Sequence, residues 1–165
     1  MKPVIGITSY AQDARWGVWH LPAALIPLAY VDAVESAGGR ALVVPPARGG
    51  DLVQHLPDEV GNDTHKQVPG EFAQHPVEVK EGTRLGAIVG AASDVTSHHH
   101  QALGRVGDGL VETAWAADGT LEAVEDPDKR FVLGVQWHPE AADDRALFEA
   151  LVAEARAYRA ARGAR

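Results

Sequence analysis

A strand, a helix and a second strand open this chain, and their order fixes the fold class. Val4-Ile5-Gly6-Ile7-Thr8 is a short apolar run that reads as a central strand. Pro27 to Ala37 reads as a helix. Pro27 suits a first turn, Leu28, Val31 and Val34 share one face, and Gly38-Gly39 ends it. Ala41-Leu42-Val43-Val44 is the next strand. A strand–helix–strand unit with so short a return implies a parallel sheet, hence an α/β domain. The residues between the first strand and the helix, with Trp16, Trp19 and Pro22, read as a loop.

After this opening the pattern changes. Pro45-Pro46-Ala47-Arg48-Gly49-Gly50 runs directly into Asp51–Leu56, which reads as a short helical piece. Residues 57–74 are polar and rich in turn formers, as in a surface loop. Val77-Glu78-Val79 alternates like a strand, and Thr83 is placed to cap a short helix through Val89. Ser93–His100, Leu110–Ala116, Glu122–Glu125 and Phe131–Trp137 read as short strands, with Asp118-Gly119 as a hairpin turn. Asp143 or Asp144 is placed to cap a last helix whose buried stripe is Leu147, Phe148, Leu151, Val152 and Ala155. Two parallel strands are few for an open α/β sheet, so its middle reads as missing.

A length of 165 residues suits one domain spanning 1–165, with 45% hydrophobic and 23% charged residues. A net charge of −8 argues against nucleic acid as a partner, because phosphate contacts need clustered Lys and Arg. No apolar run is long enough to span a bilayer, so no membrane partner is expected. The first residues turn polar too soon for a secretory signal. Cysteine is absent, which excludes disulfides and thiolate metal sites and fits a cytoplasmic protein.

Two segments carry chemistry. Gly134-Val135-Gln136-Trp137-His138-Pro139-Glu140 reads as a buried strand ending in a turn that presents a histidine and a carboxylate. A neutral imidazole takes a proton from a nucleophile, and a carboxylate fixes its tautomer and stabilises the cation. Two residues of spacing puts His138 and Glu140 on one side of an extended segment. The alternative is a surface turn where both are merely polar. In Ser97-His98-His99-His100-Gln101, strand alternation would turn His98 and His100 one way and His99 the other. Such a pair could join His55, His65 or His75 around zinc, but no familiar metal spacing supports it, and neither metal nor cofactor is expected. The four tryptophans, Trp16, Trp19, Trp115 and Trp137, suit packing.

Several blocks, in order, resemble the γ-glutamyl-γ-aminobutyrate hydrolase-like family of class I glutamine amidotransferase domains. They are Lys2–Thr8, Tyr30–Val34 through Gly39, Gly49–Leu56, Ser97–Gln101 and Gly134–Glu140. The resemblance implies a flavodoxin-like α/β sandwich. It also implies hydrolysis of a small-molecule γ-glutamyl amide, in which a cysteine on a sharp strand-to-helix turn forms a thioester and a Gly-rich loop holds the oxyanion. In that scheme His138 is the base, Glu140 its orienter, and His99 and Gln101 lie near the substrate.

The chain departs from that pattern between about residues 46 and 49. There the family carries two further strands, the oxyanion loop and the cysteine turn, while here Ala47-Arg48 bridge the gap. At about 30 residues per βαβ unit, roughly 60–90 residues are absent. The expectation is a parallel sheet truncated in its middle, lacking its nucleophile, with exposed edges that favour a homo-oligomer.

Overall fold

A computed structural model describes residues 2–44, 52–68, 70–142 and 145–163. These fall into two compact units, one within Met1–Arg48 and Phe148–Arg165, the other within Gly49–Leu147.

In the first unit, β1 (Val4–Thr8) and β4 (Arg40–Val44) pair in parallel, Ile5 opposite Ala41, with helix α1 (Leu28–Ser36) between them in sequence. The strand–helix–strand reading of the opening therefore holds. The glycine pair after α1 has two different jobs. Gly38 takes a φ of +89°, which an L side chain rarely adopts, and a Cβ on Gly39 would come within 2.9 Å of the Val34 side chain. Ile5, Val34 and Val152 form the core here, joined by Phe148, Leu151 and Ala155 from helix α4 (Ala146–Gly163). Leu28 does not share that core: it is 73% exposed. The stretch expected to be a loop is a hairpin, β2 (Tyr10–Trp16) with β3 (Trp19–Leu25), turning at Gly17 with φ +55°. Pro22 lies within β3, which among the described residues pairs only with β2, and a proline is tolerated on such an edge. Trp16 is half exposed rather than packed.

The second unit is built on a five-stranded antiparallel sheet in the order β11-β10-β9-β6-β7. Its strands are β6 (Ala73–Val79), β7 (Ala92–Ser97), β9 (Val111–Ala116), β10 (Leu121–Glu125) and β11 (Leu133–Val135). β6 alternates strictly, with Ala73, His75, Val77 and Val79 inward. Those valines pack with Leu85, Val95, Ala114, Ala123, Trp137 and Leu147. Helix α3 (Arg84–Val89) begins where expected, Thr83 Oγ1 accepting from the Gly86 N–H at 3.1 Å. The buried Glu125 carboxylate also accepts from the N–H groups of Arg84 and Leu85, completing the helix start. Asp118-Gly119 makes the expected turn between β9 and β10, Gly119 at φ +86°. The segment expected to be helical after Gly50 is instead strand β5 (Leu52–Val53), paired with β8 (Ala102–Leu103), and the helix α2 (Leu56–Val60) starts later. The expected cap at Asp143 or Asp144 lies outside the described residues.

No helix of the described residues is long and apolar enough to cross a membrane.

Candidate functional site

β11 runs through the buried Trp137 into a 3-10 turn at Pro139–Ala141. The His138 N–H donates to the Thr96 carbonyl at 2.7 Å, which ties the turn to β7. The imidazole Nδ1–H donates to Glu140 Oε1, also at 2.7 Å, with both side chains largely shielded. A carboxylate cannot donate when ionised, so this bond sets the tautomer: proton on Nδ1, lone pair on Nε2. Phe72 stands edge-on to His138, with 5.3 Å between ring centroids, and edge-on to His98 at 5.9 Å. His138 and Glu140, expected from their spacing to lie on one side, are thus joined directly by a hydrogen bond.

The three histidines after β7 separate. β7 ends at Ser97, so strand alternation no longer governs them. His98 donates from Nδ1 to the Glu71 carbonyl at 2.7 Å, and His100 lies 3.4 Å from the Lys66 amine. His99 turns inward, donating from Nδ1 to the Gln101 carbonyl at 2.7 Å. The Gln101 side chain donates to Gln54 Oε1 at 2.9 Å. His98 and His100, the pair that alternation would have put together, do not converge.

A different cluster does. His65, His75, His99 and Glu122 each direct one ligand atom into a common volume, all within 4.8 Å of one another. His75 occupies an inward position of β6. Glu122 is the extra residue of a bulge: Leu121 pairs with Trp115 and Ala123 with Ala114, leaving Glu122 out of the β9 register and wholly buried. His65, 2% exposed, follows an Asx turn in which the Thr64 N–H donates to Asn62 Oδ1. Its carbonyl accepts from the His99 N–H and the Ser97 hydroxyl, fixing it against the histidine run. His65 Nε2–H donates to Asp118 Oδ2 at 3.0 Å. Glu122 Oε1 lies 2.9, 3.4 and 3.6 Å from His65 Nδ1, His99 Nε2 and His75 Nε2. Among the described residues, none of these three nitrogens and neither Glu122 oxygen has a hydrogen-bond partner.

Charge in this cluster is set by competition. Burial pushes the Glu122 carboxyl up, but the rings of His65 and His99 outweigh it and hold it below the usual carboxylate range. Burial lowers His65, yet the carboxylates of Glu122 and Asp118 raise it above the ordinary imidazole value. His75, where burial wins, is lowered. Asp118 is also held down, as hydrogen bonds from Thr120, His65 and Asn62 overcome its burial. His65 and His99 also line a cleft with His55, Asp63, Lys66 and His100.

Sequence reading missed Glu122 and the pairing of His65 with His75. One signal was available: His75 interrupts an otherwise apolar inward row of β6, where a histidine needs a partner.

Comparison with known proteins gives the lineage. A profile of the Peptidase C26 family matches residues 3–48 and 46–140. A Mycobacterium tuberculosis protein described as a candidate glutamine amidotransferase, Rv2859c, is 32% identical over 234 aligned positions, covering 95% of this chain and 76% of that protein. Gamma-glutamyl-gamma-aminobutyrate hydrolase PuuD of Escherichia coli is 36% identical over 128 residues, 70% of this chain and 50% of the enzyme. A solved structure from Thermoplasma acidophilum, described as a candidate component of GMP synthase, superposes with a TM-score of 0.61 at 12% identity, covering 99% of this chain and 98% of that one. That likeness shows the fold, a mixed α/β architecture similar to class I glutamine amidotransferases. The chain belongs to the Peptidase C26 family of glutamine amidotransferase-like proteins.

Proposed function

We propose that this chain derives from a hydrolase of γ-glutamyl amides and has lost, or nearly lost, the thioester reaction. The observation that carries the reading is an oriented base without its nucleophile: His138 and Glu140 at 2.7 Å in a chain with no cysteine. The name of the PuuD relative supports the substrate class. An internal loss at residues 46–49 is supported by the family matching in two separate stretches, 3–48 and 46–140, which overlap at 46–48. It is supported again by length. The Rv2859c alignment spans 234 positions, and 95% of 165 residues is about 157, leaving about 77 positions with no residue of this chain. That is the size expected for the nucleophile turn and its flanking strands.

In an intact enzyme of this type, His138 Nε2 would take the proton from the thiol while Glu140 stabilised the resulting cation. Here no thiol is present to be deprotonated. Losing the nucleophile alone costs several orders of magnitude in rate, and losing the oxyanion donors removes most of the rest. What such a protein would keep is recognition. The segments bearing His99, Gln101 and His138 are held together by backbone bonds, which favours retained binding of a γ-glutamyl ligand over chemistry.

The test is glutamate release from γ-glutamyl-γ-aminobutyrate or glutamine by the purified chain. The expected rate is indistinguishable from buffer. Turnover that vanishes in His138→Ala would overturn the reading. The same reading favours self-association, because among the described residues β1 and β4 pair only with each other. A compact monomer on size-exclusion chromatography would count against that part.

A further inference from the structure

We infer that His65, His75, His99 and Glu122 form a buried structural site for a divalent transition-metal ion, with zinc the best match. Three imidazole nitrogens and one carboxylate oxygen make a complete four-ligand set. They come from four separate segments: the loop after α2, strand β6, the residues after β7, and the β10 bulge.

The first argument is the unused atoms. A buried polar atom without a partner is costly, and here five sit together in one volume. The Glu122 carboxylate is wholly buried, with imidazole nitrogens at 2.9, 3.4 and 3.6 Å that make no hydrogen bond to it. A cation between these atoms satisfies all of them at once. Bonds of about 2.0–2.1 Å in tetrahedral geometry place ligand atoms about 3.3 Å apart, close to those three separations. The widest separation, 4.8 Å, requires the cluster to draw in on binding.

The second argument is the opposite face of each ring. A metal-bound histidine usually donates its other N–H to a carboxylate or carbonyl, which aims the lone pair at the metal. All three do so. His65 Nε2–H goes to Asp118, His75 Nδ1–H to the Pro76 carbonyl at 3.3 Å, and His99 Nδ1–H to the Gln101 carbonyl. In each case the remaining nitrogen is the one that faces Glu122. Three rings independently set in the tautomer a metal requires is more than a polar cluster needs.

The donor set selects the ion. Three nitrogens exclude calcium and magnesium, which take oxygen ligands. Four protein ligands with deep burial match closed structural zinc sites rather than catalytic ones, which keep an open position. The cleft lined by His65 and His99 provides the route in.

The test uses the full chain, prepared from zinc-supplemented growth and also refolded with Zn2+ after chelation. Elemental analysis is expected to find one zinc per chain. Co2+ in its place is expected to give the visible spectrum of four-coordinate cobalt. His75→Gln and Glu122→Gln should each weaken Zn2+ binding by roughly 100-fold or more, and Asp118→Ala by about 10–100-fold through loss of its hold on His65. His98→Ala and His100→Ala should bind as the parent does. Should the buried variants fail to fold, the parent's stoichiometry and cobalt spectrum together with Asp118→Ala still decide the matter. A folded parent that holds no stoichiometric zinc would overturn the site, as would six-coordinate cobalt or unchanged binding in Asp118→Ala. None of these readings depends on hydrolysis, so this inference and the loss of amidase chemistry stand or fall separately.

Discussion

The His138–Glu140 turn and the His65–His75–His99–Glu122 cluster both set imidazoles against a carboxylate, and they differ in whether the contact is finished. At the turn, one nitrogen meets one oxygen at 2.7 Å in a hydrogen bond, and among the described residues only the second carboxylate oxygen, Glu140 Oε2, is left buried without a hydrogen-bond partner. In the cluster, one oxygen faces three nitrogens and bonds none of them. A hydrogen-bonded pair needs no third group to hold it together. An unfinished cluster in the core is costly by itself, so it implies something that completes it. The contrast separates a local contact closed by a hydrogen bond from a buried cluster whose ligand atoms are left without partners.

The largest effect that can break this contrast is metal loading. With Zn2+ at about 1,000 times its Kd, the chain should gain about 4 kcal/mol in unfolding free energy, read by denaturant titration with and without chelator. The same gain is expected in His138→Ala, because the turn plays no part in it. No gain in the parent would put the two regions on equal footing. The second effect is the converse. Glu140→Ala removes a largely shielded charge-assisted hydrogen bond and should cost about 2 kcal/mol by the same titration. Its zinc stoichiometry should stay at one per chain, and a loss of metal would show the two regions to be coupled.

The two regions were also unequally legible. His138 and Glu140 are two residues apart, so their meeting needs only a local turn, and local geometry is what sequence spacing encodes. Thr83 and Gly38-Gly39 were readable for the same reason: a cap and a positive φ are properties of a few adjacent residues. The cluster draws on residues far apart in the chain, from His65 to Glu122, and on a bulge at Glu122 that no local pattern announces. The histidine run misled because alternation holds only within a strand, and β7 ends at Ser97. Pairing also overrode composition in β2 and β3, where Pro22 and polar residues hid a hairpin.

A smaller effect tests whether the second unit's helix start is independent of both regions. Thr83→Ala removes the cap bond to the Gly86 N–H and should cost about 1 kcal/mol, with zinc stoichiometry unchanged. Glu125 still receives the Arg84 and Leu85 N–H groups, which limits the loss. A cost well above the roughly 2 kcal/mol that a lost cap can reach would mean that α3 supports the cluster through Val79 and Val77 of β6 rather than only itself.

The smallest effect is the sharpest for the contrast. His98 precedes His99 in sequence and touches Phe72, which also touches His138. If proximity were enough to make a histidine part of either region, His98→Ala would disturb one of them. Its ring donates to the Glu71 carbonyl at an exposed position, where water can replace the lost donor. The expected cost is therefore about 0.5 kcal/mol, with zinc affinity unchanged. A tenfold loss of affinity would show that the histidine run acts as a unit, and that the burial of His99 is not what sets it apart.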